Sequence, residues 1–101
     1  MELINISKST NPNKKYMALF KISPTKTKLV HFGASGYNDY IIYSSKNKEL
    51  ADKKKLEYIA RHKIRENFND PLSPGSLSRW ILWNKPSLSQ SVTDFINRFD
   101  L

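Results

Sequence analysis

The chain contains no cysteine, so disulfides, cysteine-ligated zinc and thiol nucleophiles are excluded together. Nothing in it asks for an oxidising compartment, and a reducing, non-secreted setting is expected. Glycine is scarce, with three residues in 101. Gly33, Gly36 and Gly75 spell neither a GxGxxG nor a GxxxxGK[ST] phosphate loop, and no GxSxG nucleophile elbow is present. No window approaches the roughly 20 apolar residues of a membrane-spanning helix. The opening Met-Glu-Leu-Ile-Asn-Ile lacks the basic flank and apolar centre of a secretion signal. Acidic residues are also few, nine against 17 Lys and Arg.

That imbalance leaves a net charge of +8 and a pI near 9.8. On so small a body it favours phosphate backbones, acidic proteins or anionic surfaces, with nucleic acid the commonest such partner. Hydrophobic residues make up 39% and aromatics 12%, enough for one packed core in a chain of this length.

Residues 1–13 end in a polar, turn-prone stretch, Ser9-Thr10-Asn11-Pro12-Asn13, and are expected to form a loosely held arm with a short strand around Leu3–Ile6. A single domain is expected over 14–101. Alternation of Tyr16, Ala18, Phe20 and Ile22 predicts a strand with one buried face. Ser23–Thr27 reads as a hairpin loop, Lys28–Phe32 as a second strand and the β-rich Asp39–Ser44 as a third. Over 48–67, Leu56, Ile59, Ala60 and Ile64 recur at helical spacing, predicting an amphipathic helix that covers the sheet. Asp70–Gly75 breaks it. Ser76 is expected to cap a short helix carrying Leu77, Trp80, Ile81 and Trp83. Ser87 caps a last helix with Leu88, Val92, Phe95, Ile96 and Phe99 on one face. The class is α+β: a three-stranded antiparallel meander packed by a basic amphipathic helix, then a short helix and a C-terminal amphipathic helix.

Within this frame certain residue sets resemble a known family. They are His31-Phe32-Gly33, Tyr37-Asn38-Asp39-Tyr40, Tyr58–Lys63 followed by Glu66-Asn67-Phe68, Ser76–Lys85, and the closing helix through Arg98-Phe99. Together they are similar to small uncharacterised proteins encoded by giant nucleocytoplasmic large DNA viruses, over roughly residues 15–99. Phe68 stands where that pattern has Trp. The resemblance implies a viral origin and a place in the host cytoplasm, the nucleus or the virion interior. It brings no established activity with it.

Four constellations carry the functional expectations. Lys53, Lys54, Lys55, Lys63 and Arg65 make the 48–67 helix a candidate phosphate-binding face, extended by Lys21, Lys26 and Lys28 on the first hairpin. Six such contacts would give a log–log salt dependence of about −5. The competing account is a solvated surface balanced by Glu49, Asp52 and Glu57 through i,i+4 pairs. Tyr16, Tyr37, Tyr40 and Tyr43 offer rings for base stacking wherever they are exposed. Arg79, Trp80 and Trp83 form either core or an interaction surface for a capsid or other virion protein. His31, Asp39, His62 and Glu66 can be drawn as a metal-dependent nuclease, but their spacing matches no metal motif. Structural pairing of Asp39 with Arg61 or His62, tying helix to sheet, is the stronger account. The leading expectation is therefore a non-catalytic nucleic-acid-binding module, DNA ahead of RNA, with no cofactor, metal or small-molecule substrate.

Overall fold

A computed structural model describes all residues, 1–101. Three antiparallel strands run in the order β1 (Glu2–Lys8), β2 (Lys14–Ser23) and β3 (Lys26–Ala34). Four helices follow: α1 (Tyr40–Ser44), α2 (Lys48–His62), α3 (Pro74–Leu77) and α4 (Leu88–Phe99). A π-helical turn over Ser78–Leu82 is fused to α3. The α+β class, the three-stranded antiparallel sheet and the helix order agree with expectation.

The third strand is not the one expected. The N-terminal segment, read as a loosely held arm with a short strand around Leu3–Ile6, does hold that strand, but as the longer edge strand β1, paired from Glu2↔Lys21 to Lys8↔Tyr16. Asp39–Ser44, read as a strand for its Tyr and Ile, is instead the N-cap and body of α1. Strand propensity reports fit to a pleated, half-covered surface, and tertiary packing has overridden it here. The Asp39 carboxylate accepts from the Ile42 amide at 3.0 Å and opens a helical turn. Tyr40 is then buried against α2, where its hydroxyl donates to Asp52 at 2.7 Å.

Alternation along β2 holds as predicted. Ala18 and Phe20 are fully buried, beside Val30 and Phe32 of β3. What covers them is not α2. Leu77, Ile81, Leu82 and Phe95, from α3, the π-turn and α4, complete the core. Most of the stripe expected to seal α2 to the sheet faces water: Leu56 is 69% exposed, Ala60 is exposed, Ile64 is 79% exposed just past the helix end, and only Ile59 is half-buried. Ala51 and Tyr58, on the opposite side of α2, are its buried residues. The 3.6-residue period was real, but it marked the outer face.

Capping follows local chemistry with one exception. Asn47, Ser73 and Ser87 cap α2, α3 and α4, each accepting a backbone N–H with its side-chain oxygen. Ser76, expected to be a cap, is wholly buried, and its hydroxyl donates to the Phe68 carbonyl at 2.9 Å. Pro74 at the first helical position moves the start of α3 upstream, because a proline there loses no hydrogen bond.

Candidate functional site

One end of the sheet meets α2 across a cleft of about 650 Å³. Lys14 and Lys15 of β2 and Gly33 and Ala34 of β3 form one wall. Tyr37, Asn38 and Asp39 come from the loop that follows, and Lys54, Glu57, Tyr58, Arg61 and His62 come from α2. Ser78 and Trp83, at the two ends of the π-turn, and Glu66, in the segment after α2, also line it.

Asp39 is the hinge between the walls. Its carboxylate is nearly buried, caps α1, and accepts from Lys15 Nζ at 2.7 Å. The pairing of Asp39 with Arg61 or His62 expected from sequence is thus replaced by one with Lys15. Arg61 is exposed and has no carboxylate within ion-pair range, whereas His62 Nδ1 meets Glu66 at 3.2 Å. Once residues 40–44 are helical, Asp39 sits at an N-cap and turns toward the start of β2.

The aromatic groups are arranged as a column. Trp83 stacks on Tyr58 at 4.6 Å and 8°, and Tyr58 stacks on His62 at 4.1 Å and 22°. Tyr43 leans on Trp83 at 6.3 Å. Burial raises the Tyr58 phenol pKa well above its ordinary value, and the Glu66 carboxylate adds to the rise, so this ring is neutral at any physiological pH. The i,i+4 spacing of Tyr58 and His62 was the only sequence signal for the column.

Trp80 and Trp83 do not stand out as a free hook. Trp80 Nε1 donates to the Phe68 carbonyl at 2.8 Å, and the Arg79 and Arg98 guanidinium groups lie 4.0 and 3.6 Å from its ring. Arg79 also donates to the Trp83 carbonyl at 2.8 Å. Burial and the neighbouring Arg98 charge lower the Arg79 pKa. Both tryptophans are half-buried, and their polar and ring contacts are largely internal.

Three consecutive lysines on α2 have three different fates, as 100° per residue requires. Lys53 is exposed and unpaired. Lys54 faces the cleft, 3.5 Å from Glu57. Lys55 turns inward, donating to the Asn84 carbonyl at 2.8 Å and lying 4.2 Å over the Tyr40 ring. Desolvation there lowers its pKa, with Arg79 the next contributor. Lys63 and Arg65 are exposed. Of all 17 Lys and Arg, only Lys15, Lys48, Lys54 and Arg98 pair with a carboxylate. Lys21, Lys26 and Lys28 are exposed at the hairpin end of the sheet, away from α2. β3 has nine residues, so its ends stand roughly 26 Å apart at a rise of about 3.3 Å per residue. The expected basic residues therefore form two groups rather than one patch.

His31 Nδ1 is engaged by the Ser9 hydroxyl at 2.7 Å, on the sheet's outer face with Met17 opposite. It does not join Asp39, His62 and Glu66, and no three His, Asp or Glu side chains gather as metal ligands. No helix is long and apolar enough to cross a membrane.

The model of DUF5754, a family of unknown function, matches residues 4–62. The chain belongs to DUF5754. No match is found among curated proteins or solved structures. The DUF5754 match takes in the sheet from Ile4 onward, α1, the Asp39–Lys15 tie and α2 with its whole wall of the cleft. The helices that cover the sheet lie beyond it.

Proposed function

We propose that this chain is a non-catalytic, virus-encoded module that binds nucleic acid, DNA ahead of RNA, through the phosphate backbone with little base readout. The carrying observation is the uncompensated charge along the outer side of α2 and the turn after it. Lys53 and Lys63 lie roughly 80° apart around the helix axis, and with Arg65 they are exposed and free of carboxylate partners. Exposed, unpaired cations release counterions from a nucleic acid on contact, which is the main source of non-specific affinity. Lys21, Lys26 and Lys28 would add a second contact region about one sheet length away. Lys54 and Lys55, already engaged, contribute less. The viral setting, including packaging with a genome, rests on the resemblance to giant-virus proteins.

A salt titration of duplex and single-stranded DNA binding is the test. Affinity that falls steeply with salt supports the proposal; no binding at about 50 mM salt overturns it.

A second reading, an interaction module for a capsid or other virion protein, shifts from the expected Arg79/Trp80/Trp83 surface to α2. Leu56 and Ile64 are the most exposed large aliphatic side chains, and co-purification with capsid shells that is lost in a Leu56→Ser, Ile64→Ser double variant would favour it.

A further inference from the structure

The cleft between the Lys14/Gly33 end of the sheet and α2 has features that contact with a polymer backbone does not use. We propose that it binds a single nucleotide unit, a planar base carrying a phosphate, either as a free nucleotide or as the 5′ end of a strand. The inference goes beyond backbone binding and involves different residues.

Size comes first. A volume of about 650 Å³ lies inside the range of roughly 300–1,000 Å³ typical of small-ligand sites.

Charge narrows the ligand. Each carboxylate lining the cleft already has a partner beside it: Asp39 pairs with Lys15 and Glu57 with Lys54, and Glu66 lies 3.2 Å from the His62 ring nitrogen. Arg61 and Lys14 line the same space with no carboxylate in range. Four lysine and arginine side chains face three carboxylates in the lining, so its formal charge is positive, and the two unpaired cations, Arg61 and Lys14, are placed to meet one phosphate. Arg61 brings a planar fork able to hold two phosphate oxygens at once. No carboxylate is left free for a metal cation.

The rings narrow it further. The Trp83–Tyr58–His62 column ends in His62, which lines the cleft with its side chain 37% exposed. Tyr37, from the loop after β3, also lines it and is 73% exposed. A ring that open contributes almost nothing to the core, and base stacking on such faces is a recognised source of affinity. An apolar ligand would leave Arg61 and Lys14 unanswered, and a bare phosphate would leave both rings unused. A base with its phosphate engages all four.

The supporting wall is closely packed. Gly33 has φ of +80°, and a Cβ there would come within 2.7 Å of Leu82 and 3.3 Å of Lys15, so the backbone is pressed close to the base of the cleft. The buried Lys15–Asp39 pair fixes the loop that presents Tyr37.

The full chain would be titrated with adenosine 5′-monophosphate, and with adenosine and inorganic phosphate separately, while the His62 and Tyr37 ring protons are followed by NMR. Saturable shifts with the monophosphate, and weaker binding of either fragment, are expected. Tyr37→Ala and Arg61→Gln alter exposed side chains, and each should weaken binding by about tenfold. A short 5′-phosphorylated oligothymidylate that displaces the nucleotide and binds more tightly assigns the site to strand ends. Tighter binding of the mononucleotide assigns it to free nucleotide. Absence of ring shifts at millimolar monophosphate, or binding unchanged in both variants, overturns the inference. Duplex affinity measured on the same samples depends on Lys53, Lys63 and Arg65, so its presence or loss reports separately on backbone binding.

Discussion

Lys15 on β2 and Asp39 at the start of α1 form a buried ion pair, Nζ to Oδ2 at 2.7 Å, with side-chain exposures of 15% and 5%. The same carboxylate caps α1 through the Ile42 amide. One side chain therefore joins the sheet to the α1–α2 pair, whose own packing runs through Tyr40, Asp52 and Lys48. Removing one member of a buried pair leaves the other charged, desolvated and unanswered, which costs more than the pair itself contributes.

Asp39→Ala should therefore lower stability by about 3–4 kcal/mol, combining the lost pair and the lost cap. Lys15→Met should cost less, because Asp39 keeps the Ile42 amide. Urea denaturation of both variants and of the double variant measures the coupling, and additive effects would show that the pair is not energetically linked.

Gly33 and Gly36 both have positive φ, +80° and +84°, but their surroundings differ. At Gly36 an added Cβ meets nothing within 4 Å, so Gly36→Ala should cost only the backbone strain, about 1–2 kcal/mol. Gly33→Ala adds a collision with Leu82 and should cost more, by thermal or chemical denaturation. Equal losses would show that the Leu82 side chain yields freely.

Alkaline stability should report on Tyr58. Its folded-state pKa is raised above the ordinary 10.0, chiefly by burial. The unfolded chain releases this proton near pH 10 while the folded chain retains it, so the contribution is complete below about pH 10 and is lost as pH climbs toward the folded value. In an ultraviolet titration of the folded chain, Tyr58 should stay protonated beyond the ordinary tyrosine range. Tyr58→Phe should flatten the alkaline decline. A full set of phenolate signals before unfolding would contradict this.

The lysines of α2 should separate by role. Lys53→Ala and Lys63→Ala should each reduce the salt slope of DNA binding by about one unit. Lys55→Ala should leave the slope unchanged and lower stability by about 1–2 kcal/mol, because it loses a hydrogen bond to the Asn84 carbonyl and its place over Tyr40. A slope change at Lys55 would mean that its ammonium reaches phosphate after all.

Phe95 and Leu56 test which helix seals the core. Phe95→Ala removes a wholly buried ring and should cost about 3–5 kcal/mol. Leu56→Ser alters a side chain that is mostly in water and should stay within about 0.5 kcal/mol. The reverse ranking in urea midpoints would put α2 back over the sheet.

Local chemistry made much of this legible in the sequence. Period-two alternation marked Ala18 and Phe20 as the buried face of β2, since a pleated chain sends neighbouring side chains to opposite sides. Ser87 announced α4, whose Phe95 does enter the core. The charge excess and the absence of cysteine are properties of composition, and no fold can alter them. Partners were not legible. Nothing along the chain ties Lys15 to Asp39, 24 positions apart, or gathers Tyr37, Arg61 and His62 around one cleft.

What the sequence determined by itself was the set of local preferences: a charged, disulfide-free chain with strands first and helices after. The tertiary structure decided which apolar stripe turned inward. On α2 the stripe of Leu56, Ala60 and Ile64 lost to the face bearing Ala51 and Tyr58. α3, the π-turn and α4 already occupied the covered side of the sheet, and Tyr40 drew α2 toward α1 instead. Periodicity specifies that a helix has an apolar side, but only the competition among neighbouring surfaces settles whether that side finds a partner.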